Sequence, residues 1–210
     1  MDTPQHAKYT KLYNYVRGWL EARNYYIAVN ALNFGRERHV GTRKDNVTPE
    51  FSHQLHMSRF LMNLEALVQN PQRCIALIFL HDVVEDGLAT FEEVERLVGQ
   101  DIADGTRKLS RIIRGARLSD ELYYSGLLED VGACIVKGVD RLHNLESMKD
   151  AFTAGKKQRY VEETENHTLP MLKLARNHYP DHANVFNHLR HVMIVYTQLV
   201  REELKIAGKT

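Results

Sequence analysis

The apolar run Ile75-Ala76-Leu77-Ile78-Phe79-Leu80 stops abruptly at His81-Asp82-Val83-Val84-Glu85-Asp86. A run of this kind belongs in a core. Here its polar end gathers an imidazole and three carboxylates where apolar segments normally meet scattered surface charge. Unpaired carboxylates beside a core are costly, so a bound cation is the easier explanation. Adjacent His and Asp side chains can ligate one divalent ion if a helix end presents them together. Glu85 follows His81 by four residues and Asp86 follows Asp82 by four, so on a helix both carboxylates stay beside the ligand pair. That is the layout of a metal centre with acid–base groups next to it. A surface pair is the plain alternative for His81-Asp82 taken alone.

The rest of the chain reads as all-α. Residues 9–23 put Leu12, Val16, Trp19 and Leu20 on one stripe, and 25–35 continue a helical pattern. Residues 40–49 are polar and read as a loop. Residues 53–69 space Leu55, Phe60, Leu61, Leu64 and Leu67 as a helix does. Residues 72–84 read as a buried helix, although periodicity alone also allows a buried strand. Thr90-Phe91-Glu92-Glu93 carries the capping-box pattern that opens a helix. Further helical segments follow at 127–149, 156–179 and 184–205, and no alternating run bounded by hairpin turns is present. The five prolines fall at expected helix boundaries.

A chain of 210 residues with 43% hydrophobic content suits a single domain, residues 1–210, built as one helical bundle. With a formal net charge of +1 and dispersed Lys and Arg, nothing points to nucleic acid as a partner. No apolar segment is long enough to span a bilayer, and the polar N-terminus is not a signal peptide. Cys74 and Cys134 lie in apolar segments and read as reduced core thiols of a cytoplasmic protein.

Two further clusters share the chemistry of the first. Asp140-Arg141-Leu142-His143-Asn144 follows an apolar helix, and Ser52-His53-Gln54-Leu55-His56 opens another. The chain thus offers His53, His81, Asp82 and Asp140 on three apolar helices. Two imidazoles and two carboxylates suit Mn, Fe or Zn better than Ca or Mg. Each residue has a plainer reading. His53 can be an ordinary helix-start residue. Asp140 can pair with Arg141 or Arg111. His143 and Asn144 can act as caps, and His56 can be either a supporting or an exposed histidine.

The order His…His-Asp…Asp resembles the HD superfamily of metal phosphohydrolases. It looks most like the hydrolase domains of the Rel/SpoT type, which degrade the alarmone (p)ppGpp. Glu50 to His56 is similar to that family's His-Pro segment, with Gln54 in place of the usual Pro. His81 to Asp86 and Asp140 to Asn144 match its catalytic and Asp-Arg-Leu-His-Asn motifs throughout. Lys157-Gln158-Arg159-Tyr160, with Glu163-Thr164 and Pro170, resembles the segment that closes the domain. Thr42-Arg43-Lys44 resembles the family's base-contacting loop. The likeness spans roughly residues 30–175.

The resemblance implies that His53, His81, Asp82 and Asp140 hold one metal, usually Mn²⁺. Glu85 and Asp86 would position or deprotonate the attacking water and assist the leaving group. Arg43 and Lys44 would face the nucleotide, and Asn144 the ribose or its phosphate. The expected activity is hydrolysis of the 3′-pyrophosphate of (p)ppGpp to GDP or GTP and pyrophosphate, by a standalone hydrolase. The departures fall around the nucleotide: Asp45-Asn46 stands where the family has Ser-Gly, the loop to His53 is one residue longer, and Gly87 replaces the common Thr. An HD phosphohydrolase on another nucleotide, such as a deoxynucleotide triphosphatase or a 5′-nucleotidase, remains the alternative enzyme. A non-catalytic nucleotide-binding module is the alternative of another class. The apolar face of 184–205 either caps the core or forms a seam between two copies, packing being the plainer role.

Overall fold

The computed structural model describes residues 4–43, 46–113, 115–148 and 151–207. It is helical as expected, and its contacts gather into two compact units, residues 1–66 with 70–119 and residues 67–69 with 120–210.

The first unit holds α1 (Pro4–Ala22), α2 (Tyr26–Arg38), α3 (Ser52–Met62), α4 (Pro71–Leu80), α5 (Phe91–Val98) and α6 (Gln100–Leu109). Helix α4 is its axis. Asn70 caps it by accepting the Arg73 N–H at 3.1 Å, and Pro71 occupies the first turn, where no N–H is needed. From Cys74 to Leu80 every side chain is buried, so α4 is covered all round by α2, α3 and α6. Full burial of a Leu, Ile or Phe side chain contributes roughly 1.5–3 kcal/mol, so the buried run of this helix contributes strongly to the unit's stability. Close approach of α2 depends on Gly35: a Cβ there would lie 2.6 Å from the Phe79 carbonyl oxygen and 2.8 Å from the Phe51 ring. The capping box at Thr90 forms as read, with Glu93 N–H donating to Thr90 Oγ1 at 3.2 Å and Thr90 N–H donating to the Glu93 carboxylate at 2.8 Å. The unit closes with a small hairpin, β1 (Ile112–Ile113) and β2 (Ala116–Arg117), whose two-residue strands are too short to show as alternation in the sequence.

Two helix ends differ from the sequence reading. Helix α3 stops at Met62 rather than running to 69, and α4 stops at Leu80 rather than at 84. After Leu80 the chain turns repeatedly. Asp86 N–H donates to the Asp82 carbonyl at 2.9 Å, Leu88 and Ala89 N–H both reach the Val83 carbonyl, and Gly87 sits at φ +70°. Glycine adopts that conformation without penalty, which is the physical reason a glycine suits this turn.

The second unit holds α7 (Asp120–Leu127), α8 (Val131–Ser147), α9 (Ala154–Glu163), α10 (Leu169–His178) and α11 (Ala183–Ala207). Asp130 caps α8 by accepting the Ala133 N–H at 2.9 Å. Helix α8 is the spine, and α10 and α11 pack on it around Gly138, where Leu189 and Leu172 come within 3.0 and 3.1 Å of a notional Cβ. One π-helical turn, Thr164–Thr168, joins α9 to α10 without a break. Helix α11 buries Val185, Phe186, Leu189, Met193 and Val200 in this core, and Lys157–Glu203 and Arg201–Glu165 ion pairs tie it to the α9–α10 run. Cys74 and Cys134 are buried thiols. Among the described residues no helix is long and apolar enough to cross a membrane.

Candidate metal centre

The end of α4 and the start of α3 bring three ligand-type side chains together. One donor atom from each of His53, His81 and Asp82 lies within 4.8 Å of the others. The two imidazoles are 7% and 5% exposed, and their ring centroids are 5.6 Å apart. Both conditions follow from the backbone. His53 sits in the first turn of α3, where Phe51, fully buried, anchors the chain just before the helix. His81 is the residue at which α4 ends, still in helical conformation.

His81 is oriented by its own helix. Its Nδ1 lies 2.8 Å from the Ile78 carbonyl oxygen, which can only accept, so Nδ1 carries the proton. Nε2 is then the lone-pair nitrogen, and it lies 2.9 Å from Asp82 Oδ2. A backbone carbonyl holding the far nitrogen of a histidine is the usual way a metal-ligating tautomer is fixed. Asp82 is the solvent-facing member of the set, its side chain 40% exposed. A buried imidazole pair with one adjacent carboxylate is a donor set for a divalent transition metal, and the three residues fit that role.

The carboxylates of the following turns stay near this cluster although the helix has ended. Glu85 accepts the Arg111 N–H through Oε2 at 2.7 Å, which fixes its carboxylate. The Asp86 carboxyl is pushed up from the ordinary aspartate range, first by desolvation and then by the Asp82 charge, with Glu50 and Glu85 adding to it and His39 opposing. The sequence reading found Glu85 and Asp86 but neither Glu50 nor His39. Both missed residues border a segment that reads only as a polar loop. That loop is closed on itself: Thr42 bridges Pro49, Arg43 N–H donates to the Thr48 carbonyl at 2.8 Å, and Glu50 N–H donates to the Gly41 carbonyl at 3.0 Å. Arg43 lies on it, half-buried, and Lys44 lies outside the described residues. His56 is exposed.

In the second unit Asp140 stands near the middle of α8, 9% exposed. On its own helix Lys137 Nζ lies 2.9 Å from Oδ2, and Asn144 Nδ2 donates to Oδ1 at 2.6 Å. Of the two arginines that the sequence offers as partners of Asp140, Arg141 meets Glu163 instead, at 2.7 Å, and lies over the Tyr160 ring. The helix explains this. Residues three and four apart share a face, while neighbours in sequence point apart. Asn144 holds the Asp140 carboxylate, a contact the i,i+4 spacing makes legible once the helix is known.

Residues 31–166 match the family model of the HD domain. The chain is similar to a probable guanosine-3′,5′-bis(diphosphate) 3′-pyrophosphohydrolase of Synechocystis, 28% identical over 149 residues, which are 67% of this chain and 19% of that one. It is 32% identical over 126 residues to a guanosine-3′,5′-bis(diphosphate) 3′-pyrophosphohydrolase of Spiroplasma citri, covering 56% of this chain and 16% of that one. A GTP pyrophosphokinase of Myxococcus xanthus is 30% identical over 149 residues, 66% of this chain and 19% of its own. The chain therefore spans less than a fifth of the length of these curated relatives. Among solved structures it resembles a metazoan ortholog of SpoT, described as hydrolyzing ppGpp and playing a role in starvation responses. The TM-score is 0.57 at 23% identity, over 77% of this chain and 94% of that one, which is a likeness of fold.

Proposed function

We propose that this chain, which belongs to the HD-domain family, hydrolyses the 3′-pyrophosphate of (p)ppGpp to GDP or GTP and pyrophosphate. The observation that carries the reading is the clustering of His53, His81 and Asp82 at one point with Glu85 and Asp86 on the next turns. The similarity to proteins named for this activity supports the choice of substrate. His53, His81 and Asp82 hold a divalent metal, with Mn²⁺ the choice that the family resemblance favours. Asp140 is proposed as a ligand on its motif alone. When bound, such an ion polarises a phosphoryl oxygen and makes water a usable nucleophile near neutral pH.

The chain's own groups divide the proton work. Glu85, anchored by the Arg111 N–H, orients the attacking water. Asp86, whose carboxyl holds its proton more tightly than an ordinary aspartate, is suited to hand a proton to the departing 3′-oxygen. Arg43 and Lys44 supply positive charge to the nucleotide, and Asn144 keeps Asp140 turned while remaining available to the ribose side. The enzyme acts in the cytoplasm in this reading. A nucleotide panel with metal add-back tests it. With Mn²⁺, ppGpp should be consumed, while dATP, dGTP and nucleoside monophosphates should not. Turnover of a deoxynucleotide with ppGpp untouched would move the assignment to another HD phosphohydrolase. No turnover with Mn²⁺, Co²⁺, Zn²⁺ or Mg²⁺ would leave a binding module.

A further inference from the structure

Helix α11 has two apolar faces, and the second lies in solvent. The first packs into the core of its own unit through Val185, Phe186, Leu189, Met193 and Val200. The second runs through Val195, Leu199 and Ile206, which are 42%, 60% and 67% exposed. Half-buried Val192 stands one turn before them, and Glu202 lies between the last two. The steps from Val192 to Val195, Leu199, Glu202 and Ile206 alternate between three and four residues, so all five share one line of the helix. A surface helix normally turns polar groups to water on the side away from its core. A line that keeps the three-and-four spacing in apolar residues is instead the seam pattern of paired helices.

The placement of polar groups on this face selects what covers it. From Ala183 to Arg201 the helix carries no carboxylate, and Glu202 and Glu203 are its acidic residues. Glu203 turns to Lys157 of its own unit at 2.6 Å. Glu202 stays on the exposed line, where Lys205 meets it at 2.7 Å with both side chains 65% exposed, a pair weak enough to exchange partners. Toward the other end of the same face stand His188 and His191, both exposed. One end of the line thus offers a carboxylate and the other offers imidazole N–H donors. Such a line is complementary to a copy of itself laid antiparallel. Laid parallel, it would set Glu202 against Glu202, and like charges brought together oppose association.

We propose that α11 pairs antiparallel with α11 of a second copy of this chain, about a two-fold axis level with Thr197. Val195 of each copy then packs on Leu199 of the other. In that register Glu202 comes level with Val192 of the second copy, beside its His191, and Ile206 comes level with His188. The two-fold axis repeats every contact, so a short apolar line is used twice. A seam of this length is small beside those of permanent dimers and belongs with the transient class. The inference is independent of the hydrolase reading, because none of the proposed metal ligands or acid–base groups lies on α11.

Sedimentation equilibrium of the full chain over a dilution series tests the pairing. The weight-average mass should rise with concentration from 24.3 kDa toward twice that value. Leu199→Asp should raise the dimer dissociation constant by at least ~10²-fold, since each dimer loses two copies of the leucine. Its far-UV circular dichroism should match the wild type, because Leu199 lies outside the core. Charge exchange reads the orientation. Glu202→Lys and His191→Glu should each weaken the dimer, and the double variant should recover most of the affinity. In a parallel pair the double variant would set like charges together at both levels and recover nothing, which would contradict the antiparallel register. A Leu199→Asp variant that dimerises like the wild type would move the interface to another face and overturn the proposal. A wild-type chain that stays monomeric at every concentration would overturn it too, and would leave the face to a partner other than this chain.

Discussion

Lys137 Nζ lies 2.9 Å from Asp140 Oδ2, one turn earlier on α8, with the two side chains only 13% and 12% exposed. Burial opposes charge on Lys137, but Asp140 and, behind it, Tyr123 more than offset this, and the ammonium holds its proton more tightly than an ordinary lysine. Removing one partner of such a pair strands the other. Asp140→Ala should therefore lower stability by about 3–5 kcal/mol, read as a fall in urea midpoint. A Lys137→Met, Asp140→Leu double variant should recover most of that loss, because well-packed apolar groups replace buried ion pairs at little cost. If Asp140→Ala melts like the wild type, the pair is not a structural one.

Metal binding should depend on both buried imidazoles. His53→Gln and His81→Gln should each weaken affinity for Mn²⁺ by at least ~10²-fold, since even outer-shell partners of a ligand are worth 10–100-fold. Calorimetric titration of the metal-free chain checks this. Unchanged affinity in either variant would remove that residue from the ligand set. Lys137→Met offers a contrast, because it alters the electrostatics of Asp140 without deleting a donor.

Glu85 and Asp86 should separate binding from chemistry. Glu85→Gln keeps an oxygen for the Arg111 N–H that donates at 2.7 Å, so the turn should hold its shape. Turnover should fall ~10²–10⁴-fold in Glu85→Gln and Asp86→Asn, the usual contribution of general acid–base catalysis. Metal content should stay near one equivalent of the wild-type value in both. A variant that loses metal along with activity would make its residue a ligand instead.

The raised Asp86 carboxyl has a consequence for stability in the chelated protein. Its folded-state pKa lies above the unfolded one, because of desolvation first and the Asp82 charge second. The folded state then binds the proton more tightly than the unfolded state does. The stability this contributes is present below the unfolded value of ~3.9 and is lost as pH rises through the folded value. At pH 7 the ionised group is a burden, so Asp86→Asn should melt above wild type there. The two should converge as pH falls below that range. Thermal melts across pH 3.5 to 7 in chelator check the sign, and a variant less stable than wild type at pH 7 contradicts it.

Much of this site was legible before the fold. His53, His81 and Asp82 could be found because ligand-type residues interrupt apolar runs, and burial then forces them to be satisfied. Asp140 stands out in the sequence for the same reason, but its contacts on α8 do not: the sequence shows Arg141 beside it, whereas helical geometry brings Lys137 and Asn144 to its carboxylate. The ends of α3 and α4 were read too long because apolar periodicity persists past Met62 and Leu80, while the turns that end the helices are set by tertiary contacts and by Gly87 at φ +70°. His39 was invisible, since a single histidine at the edge of a polar loop carries no pattern. Only its burial and its 2.8 Å bond to Gly35 mark it.

The central claim is a single hydrolytic cut at the 3′-pyrophosphate. Following ppGpp incubated with the chain by ³¹P NMR in Mg²⁺ with catalytic Mn²⁺, then quenching and separating the nucleotides, tests it most directly. The account predicts one GDP and one intact pyrophosphate per ppGpp consumed, with the 5′-diphosphate untouched. Stepwise release of orthophosphate, loss of the 5′-diphosphate, or an unchanged ppGpp spectrum beside a consumed deoxynucleotide would contradict it.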